Sequence, residues 1–306
     1  MKLAYFSVGS NNTYLQAGIK AAKATAARLG DSIEVFDGEF DGGKQLNQVE
    51  QGVTSGEYDG IILEPVNSQQ LCSAATEAIE DGIPIGITNV PICTAGYEEA
   101  YEGTAIFVGG QSEKVYEEWF ELGMKSGSGG EFAVMTGPPT QGNTIRAREV
   151  LEEIKPKYPE WEEVAFDYAE YQASVALSKT QTLLQKNPNV SVIFSNYSGQ
   201  TPGIISAVKA AGKQNQVKIY DLGGSEEMFK ALENGEIQST LVYLPEQEAE
   251  RAVQAVVAEA SGLEELEGVK VGTFWDLTKD PVLHGLNPFV TKATIPKFTA
   301  IGLPQY

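Results

Sequence analysis

Apolar positions along the chain fall into two alternating kinds of segment. Short, near-continuous apolar runs read as strands buried on both faces: "KLAYFSV" (2–8), "SIEVFDG" (32–38), "GIILEP" (60–65), "PIGITN" (84–89) and "AIFVGG" (105–110). Between them the apolar spacing is helical. Leu15, Ile19, Ala22, Ala26 and Leu29 recur at intervals of 4, 3, 4 and 3, which predicts one apolar stripe closed by Gly30. "GGKQLNQVEQGVTSG" is a weaker helix, and "SQQLCSAATEAIEDG" is a third with Ser68 as its expected N-cap.

After a predicted helix near 112–126 and the soft stretch "SGSGG" (126–130), the alternation resumes. Strands at "EFAVMTG", "EEVAFDYAE", "VSVIFSNYS" and "VKIYDLGG" interleave with helices at "NTIRAREVLEEIKPKYP", "SVALSKTQTLLQKNP", "PGIISAVKAAG" and "SEEMFKALENG". "IQSTLVYLPEQ" then leads into a long helix from about 247 to 261. Strand–helix alternation with right-handed crossovers gives open, doubly wound sheets. The chain therefore predicts an α/β protein with two parallel-sheet lobes of similar plan. Ligands of such sheets sit beyond the carboxyl ends of the strands. The polar turns at 9–14, 64–68, 89–93, 137–143, 196–202 and 221–225 all fall there. Two sheets whose ligand ends face one another are expected to form a cleft.

Bulk properties narrow the partners. A chain of 306 residues suits two domains. With 22 basic and 42 acidic residues the net charge is −20, a field that repels nucleic-acid backbones and anionic membranes. No run of 18 apolar residues is present, so no membrane span is predicted. "MKLAYFSV" lacks the features of an export signal; either the protein is cytosolic or it is a mature form whose signal has been removed and replaced by Met1. Cys72 and Cys93 are too few for a disulfide scaffold or a four-ligand zinc site. They fall just beyond neighbouring strands, which leaves a bridge open beside the alternative of two separate buried thiols.

Tests for chemistry return little. The first strand-to-helix turn is Gly9-Ser10-Asn11-Asn12-Thr13-Tyr14, not the glycine pattern that admits a pyrophosphate, and Tyr14 blocks that approach. There is no P-loop. The sole histidine, His284, lies in the proline-marked loop "KDPVLHGLNP" and reads as a surface residue, and there is no G-x-S-x-G elbow. Paired carboxylates such as Glu98-Glu99 and Glu264-Glu265 read as solvated helix exteriors. No catalytic, cofactor-binding or metal-ligating residue is assigned, and the chain is not expected to be an enzyme.

Six segments in register carry a resemblance: "SNNTYLQAGIKAAKATAARLG", "DGIILEPVNSQQL", "DGIPIGITN", "IRAREVLEEI", "VSVIFSNYS" and "LVYLPEQEAERA". In this order they resemble the periplasmic sugar-binding proteins of the ribose-binding type, the substrate-capture components of bacterial ABC importers. The resemblance runs from residue 2 to about 260 and more loosely to the end. It implies two lobes joined by three crossing segments, near 107–111, 243–247 and within 276–291, with one small molecule between the lobes. The implied N-terminal lobe is 1–108 plus 246–280, and the C-terminal lobe is 109–244 plus 281–306.

Carried over by position, the implied ligand residues of the first lobe are Asn12, Tyr14 and Leu15. Tyr14 also fits the start of the helix core. After the fourth strand such proteins usually carry Asp-Arg, and here the pair is Asn89-Val90, which gives up charge-assisted bonds. In the second lobe Arg146 matches a ligand arginine, whereas Arg148, two positions on, should face away. Tyr171, Asn196, Tyr197 and Asp221 follow, the last of these with Gly223 as an alternative, and Tyr243 stands where a Gln is common. Four tyrosines with neutral anchors suit a small uncharged sugar or polyol, or a planar ring such as a nucleoside. The implied role is extracytoplasmic solute capture for an ABC permease, without a cofactor. The rivals are a sensor domain partnered with a kinase or chemoreceptor, and a regulator core trimmed of its DNA-binding part. The sequence does not specify the ligand or the oligomeric state.

Overall fold

The computed structural model describes residues 1–93 and 95–306. The chain begins β1 (Lys2–Ser7), α1 (Thr13–Leu29), β2 (Ser32–Asp37), α2 (Gly42–Ser55), β3 (Gly60–Leu63), α3 (Cys72–Glu80), β4 (Ile85–Thr88) and β5 (Ile106–Gly109). It continues α4 (Glu113–Met124), β6 (Gly130–Thr136), α5 (Gly142–Ile154), β7 (Trp161–Tyr168), α6 (Ala173–Lys186), β8 (Val190–Ser195), α7 (Thr201–Ala210), β9 (Lys218–Gly223), α8 (Glu226–Asn234) and β10 (Ser239–Val242). It closes with α9 (Pro245–Ala260), a small hairpin of β11 (Glu265–Leu266) and β12 (Val269–Lys270), then β13 (Thr273–Asp276), β14 (Phe289–Val290) and α10 (Ile295–Thr299).

Two compact units result. The first comprises Met1–Ser112, Leu244–Pro281 and Tyr306; the second comprises Glu113–Tyr243 and Val282–Gln305. The first holds a six-stranded sheet of order β13-β5-β4-β3-β1-β2, parallel throughout. The second holds β14-β10-β9-β8-β6-β7, parallel except for β14, which runs antiparallel to β10.

Each sheet is buried on both faces, which is why its strands are apolar at consecutive positions. In the first unit Phe6, Ile61, Leu63 and Ile87 meet Val49 and Val53 of α2 and the alanines of α3. On the other face α9 comes very close. A Cβ added at Gly60 would lie 2.3 Å from Val256 Cγ1, so the glycine is what lets the helix settle on the strand. The same closeness turns the face of α1. Its buried residues are Tyr14, Leu15, Gly18, Ala22, Thr25 and Ala26, so the small Gly18 and Thr25 replace Ile19 and Leu29 of the predicted stripe. In the second unit Trp119, Phe120, Phe132 and Phe194 form an aromatic centre with Leu151 and Val192. Burying one such ring fully contributes roughly 1.5–3 kcal/mol.

Three expectations change. Ser68 is not an N-cap, since α3 starts at Cys72; Asn67 Oδ1 instead accepts the Gln69 and Gln70 N–H groups, both at 3.1 Å. Cys72 and Cys93 are joined in a disulfide, with Cα atoms 4.9 Å apart, so the alternative of separate thiols does not hold. Glu98-Glu99 and Glu264-Glu265 are exposed as expected but lie in a turn and at the hairpin, not on helices.

Candidate functional site

In the first unit the turn after β1 and the turn after β4 meet. Asn12 caps α1, its Oδ1 accepting the Leu15 N–H at 2.9 Å. Leu15 itself faces the core and is 3% exposed. The Tyr14 ring is buried, and the ring of Tyr306 stands edge-on to it at 5.6 Å. The Tyr14 hydroxyl donates to Glu248 and accepts from Asn89 Nδ2 at 2.8 Å. Asn89 Oδ1 accepts from Gln111 Nε2 at 3.3 Å, so both ends of this amide are oriented. Asn89 also sits at φ 67°, in the left-handed region that asparagine adopts more readily than most non-glycine residues.

Two carboxyl groups lie directly behind this surface. Glu64, just past β3, and Glu248, in the first turn of α9, are 4% and 5% exposed. Burial pushes both well above the ordinary carboxylate range, and at Glu248 the neighbouring Glu64 charge adds to the rise. Tyr14 is held protonated for the same reasons, burial first and then the Glu248 and Glu64 charges.

In the second unit the turns after β6, β7, β8 and β9 supply a second polar cluster. The Tyr171 ring lies on Gly137: a Cβ there would be 2.0 Å from the ring, so only glycine leaves room. Tyr197 stands edge-on to Tyr171, with centroids 5.3 Å apart. Tyr171 occupies the left-handed region at φ 56°. Burial pushes its hydroxyl up to about 12, against the opposing pull of Thr144 and Asn196 beside it. Asn196 is buried, whereas Tyr197 and Tyr243 are half-buried; Tyr243 N–H donates to Gly223 at 3.1 Å.

Arg146 lies on α5 with its side chain 17% exposed, and its Nη1 is 2.6 Å from Glu113 Oε1 at the start of α4. Arg148 faces away as expected, stacking on Phe166 at 3.9 Å and pairing with Glu163 at 2.7 Å. Asp221 is fully buried and accepts from Thr201 Oγ1, from Ser198 Oγ at 2.8 Å and from Thr240 Oγ1 at 2.5 Å. Burial raises its carboxyl to about 7, although those hydroxyls and the Gly224 N–H oppose the rise. Its bonds tie β9 to the turn after β8, to the start of α7 and to β10 from inside the lobe.

A family model described as the periplasmic binding protein domain matches residues 3–264. The chain belongs to this family. Among curated relatives, the D-apiose import binding protein of Actinobacillus succinogenes is 25% identical over 251 residues, covering 82% of this chain and 79% of its own. The D-allose-binding periplasmic protein of Escherichia coli K12 is also 25% identical, with 79% of each chain covered. A solved ABC transporter solute-binding protein from Agrobacterium vitis, with bound D-fucose, superposes with a TM-score of 0.84 at 23% identity and 98% coverage of both chains. Family membership and the two parallel-sheet units agree with each other. Among the described residues no helix is long and apolar enough to cross a membrane, and no cluster of three or more metal-ligating side chains is present.

Sequence reasoning missed Glu64, Glu248, Gln111 and Thr144. A signal for two of them was present. Glu64 ends the apolar run "GIILEP", and Glu248 shares helical spacing with the buried Ala252 and Val256. An acidic residue on an apolar stripe marks a buried carboxyl.

Proposed function

We propose that this chain is the extracytoplasmic solute-binding component of an ABC importer and that it captures one small neutral sugar or polyol. The observation that carries the reading is the make-up of the two clusters. Each lies at strand carboxyl ends and combines tyrosine rings with oriented amides: Tyr14 and Asn89 in one lobe, Tyr171, Tyr197 and Asn196 in the other. The relatives' names, with D-apiose and D-allose as their sugars, support the same ligand class. Tyrosine faces take up the C–H side of a sugar ring, while amides and the Arg146 guanidinium pair with its hydroxyls. The disulfide fits an oxidising compartment outside the cytoplasm.

A bound ligand favours whichever conformation holds it more tightly, and a permease can distinguish that conformation from the empty one. Micromolar capture corresponds to about −8 kcal/mol, within reach of a few desolvated hydrogen bonds plus ring contacts after association costs. Thermal unfolding in the presence of pentoses, hexoses, polyols and nucleosides tests the reading. One sugar or polyol class should raise the melting temperature, by about 2.7 kcal/mol of linkage at a hundredfold excess over Kd. Indifference to every sugar and polyol would sink it, and a response to nucleosides alone would move the protein to a planar-ring ligand.

A further inference from the structure

Glu64 and Glu248 have no part in the binding role described above, yet they sit against its first-lobe surface. Every group that bonds them is neutral. Glu64 Oε2 accepts from Tyr5 Oη at 3.3 Å and Ser7 Oγ at 3.2 Å, with the Val8 N–H beside it. Glu248 accepts from the Tyr14 hydroxyl and is also within bonding reach of the Asn89 main-chain N–H and side-chain amide. Among the described residues no ammonium or guanidinium bonds either carboxyl; Arg251, one turn along α9, is turned to Asp280 at 3.4 Å and to the Trp275 ring. The other titratable groups facing the pair are Tyr5 from β1, Tyr14 from α1 and, beyond Tyr14, Tyr306. Two like charges in one dry site without a cation are unfavourable together, so one carboxyl stays protonated when the other ionises.

We propose that Glu64 and Glu248 keep one proton between them near neutral pH, and that Glu248 is a positioning residue that sets the direction in which the Tyr14 hydroxyl donates beside Asn89. When Glu248 is ionised, Tyr14 points its proton at the carboxylate, and its oxygen offers Asn89 only lone pairs. When Glu248 holds the proton, the carboxyl O–H donates to Tyr14 Oη, and the Tyr14 proton turns to the remaining neighbours. The surface then gains a donor at that atom. Only the consequence for capture, a ligand preference that changes with pH, rests on the function proposed above.

Carbon-13 NMR of protein labelled at the glutamate carboxyl carbon, with no sugar added, tests the proposal between pH 4 and 9. A carboxyl resonance should titrate more than about two units above the ordinary value of 4.3. In Glu64→Gln the remaining Glu248 signal should titrate lower, because its like-charged neighbour is gone. The Asn89 side-chain NH2 resonance should move with the same midpoint in the unaltered protein and stay still in Glu248→Gln. Glutamates that all titrate within about one unit of 4.3 overturn the shared proton. An Asn89 signal indifferent to that titration overturns the positioning role, and the Glu64→Gln arm decides the first point even if Glu248→Gln fails to fold. Both results stand whatever the sugar panel returns, so failure of the capture reading is seen separately.

Discussion

Tyr14, Asn89 and Glu248 are bonded in one row, and that row explains the most informative behaviour of single residues here. A carboxyl whose folded pKa is raised binds its proton more tightly folded than unfolded. That contribution is complete below the unfolded value near 4.3 and is lost as pH climbs through the folded one. Glu64, Glu248 and Asp221 are all raised, so the unliganded protein should melt lower at pH 8.5 than at pH 5.5. Glu248→Gln should flatten that slope and stabilise the protein at pH 8.5 by about 1–3 kcal/mol, which calorimetric scans at both pH values would show. A melting temperature of the variant that stays as pH-dependent as before would contradict this. Arg146 behaves differently. Its ion pair with Glu113 is partly solvated, so Arg146→Ala should change the unliganded melting temperature by less than about 1 kcal/mol of stability. Affinity for the sugar that stabilises the protein should nevertheless fall tenfold or more, a contrast measurable by titration calorimetry. The resemblance carries Arg146 into the proposed site by position. Glu64 and Glu248 show in the sequence only as acids on apolar runs, and tertiary packing decides that both are covered.

At the scale of elements, the long periodic segments were readable and the short ones were not. Strands β1 to β10 and helices such as α1 and α9 follow their apolar patterns to within a few residues. β13 and β14 escaped notice: β13 is half-buried and flanks Phe274 and Trp275 with polar residues, β14 has only two residues, and both are recognised through pairing with β5 and β10. The start of α3 was misplaced for a related reason: Asn67 turns the chain before the helix, and the disulfide fixes its first residue to the loop after β4. That bridge closes a separation of 21 residues, so replacing both cysteines by alanine should destabilise the first unit by about 2–4 kcal/mol. Denaturant melts with and without reductant check it, and identical midpoints would mean that the link adds nothing to stability.

For the molecule as a whole, charge is the dominant long-range term. With 42 acidic against 22 basic residues, self-repulsion opposes the folded state. Screening should therefore raise the melting temperature as sodium chloride goes from about 10 mM to about 150 mM, where the Debye length falls from roughly 30 Å to 8 Å. A melting temperature that fell with salt would show that surface ion pairs outweigh the repulsion. The sequence by itself determined the alternation of strands and helices and the two α/β units, because hydrophobic periodicity is local and survives without knowledge of any partner; the family was carried by the resemblance of six segments in register. Tertiary structure alone decided that Cys72 and Cys93 are bridged, which edge strands complete the sheets and that Glu64 and Glu248 lose their water. Burial and proximity are properties of segments brought together from distant parts of the chain, and a residue's chemistry follows its surroundings more than its type.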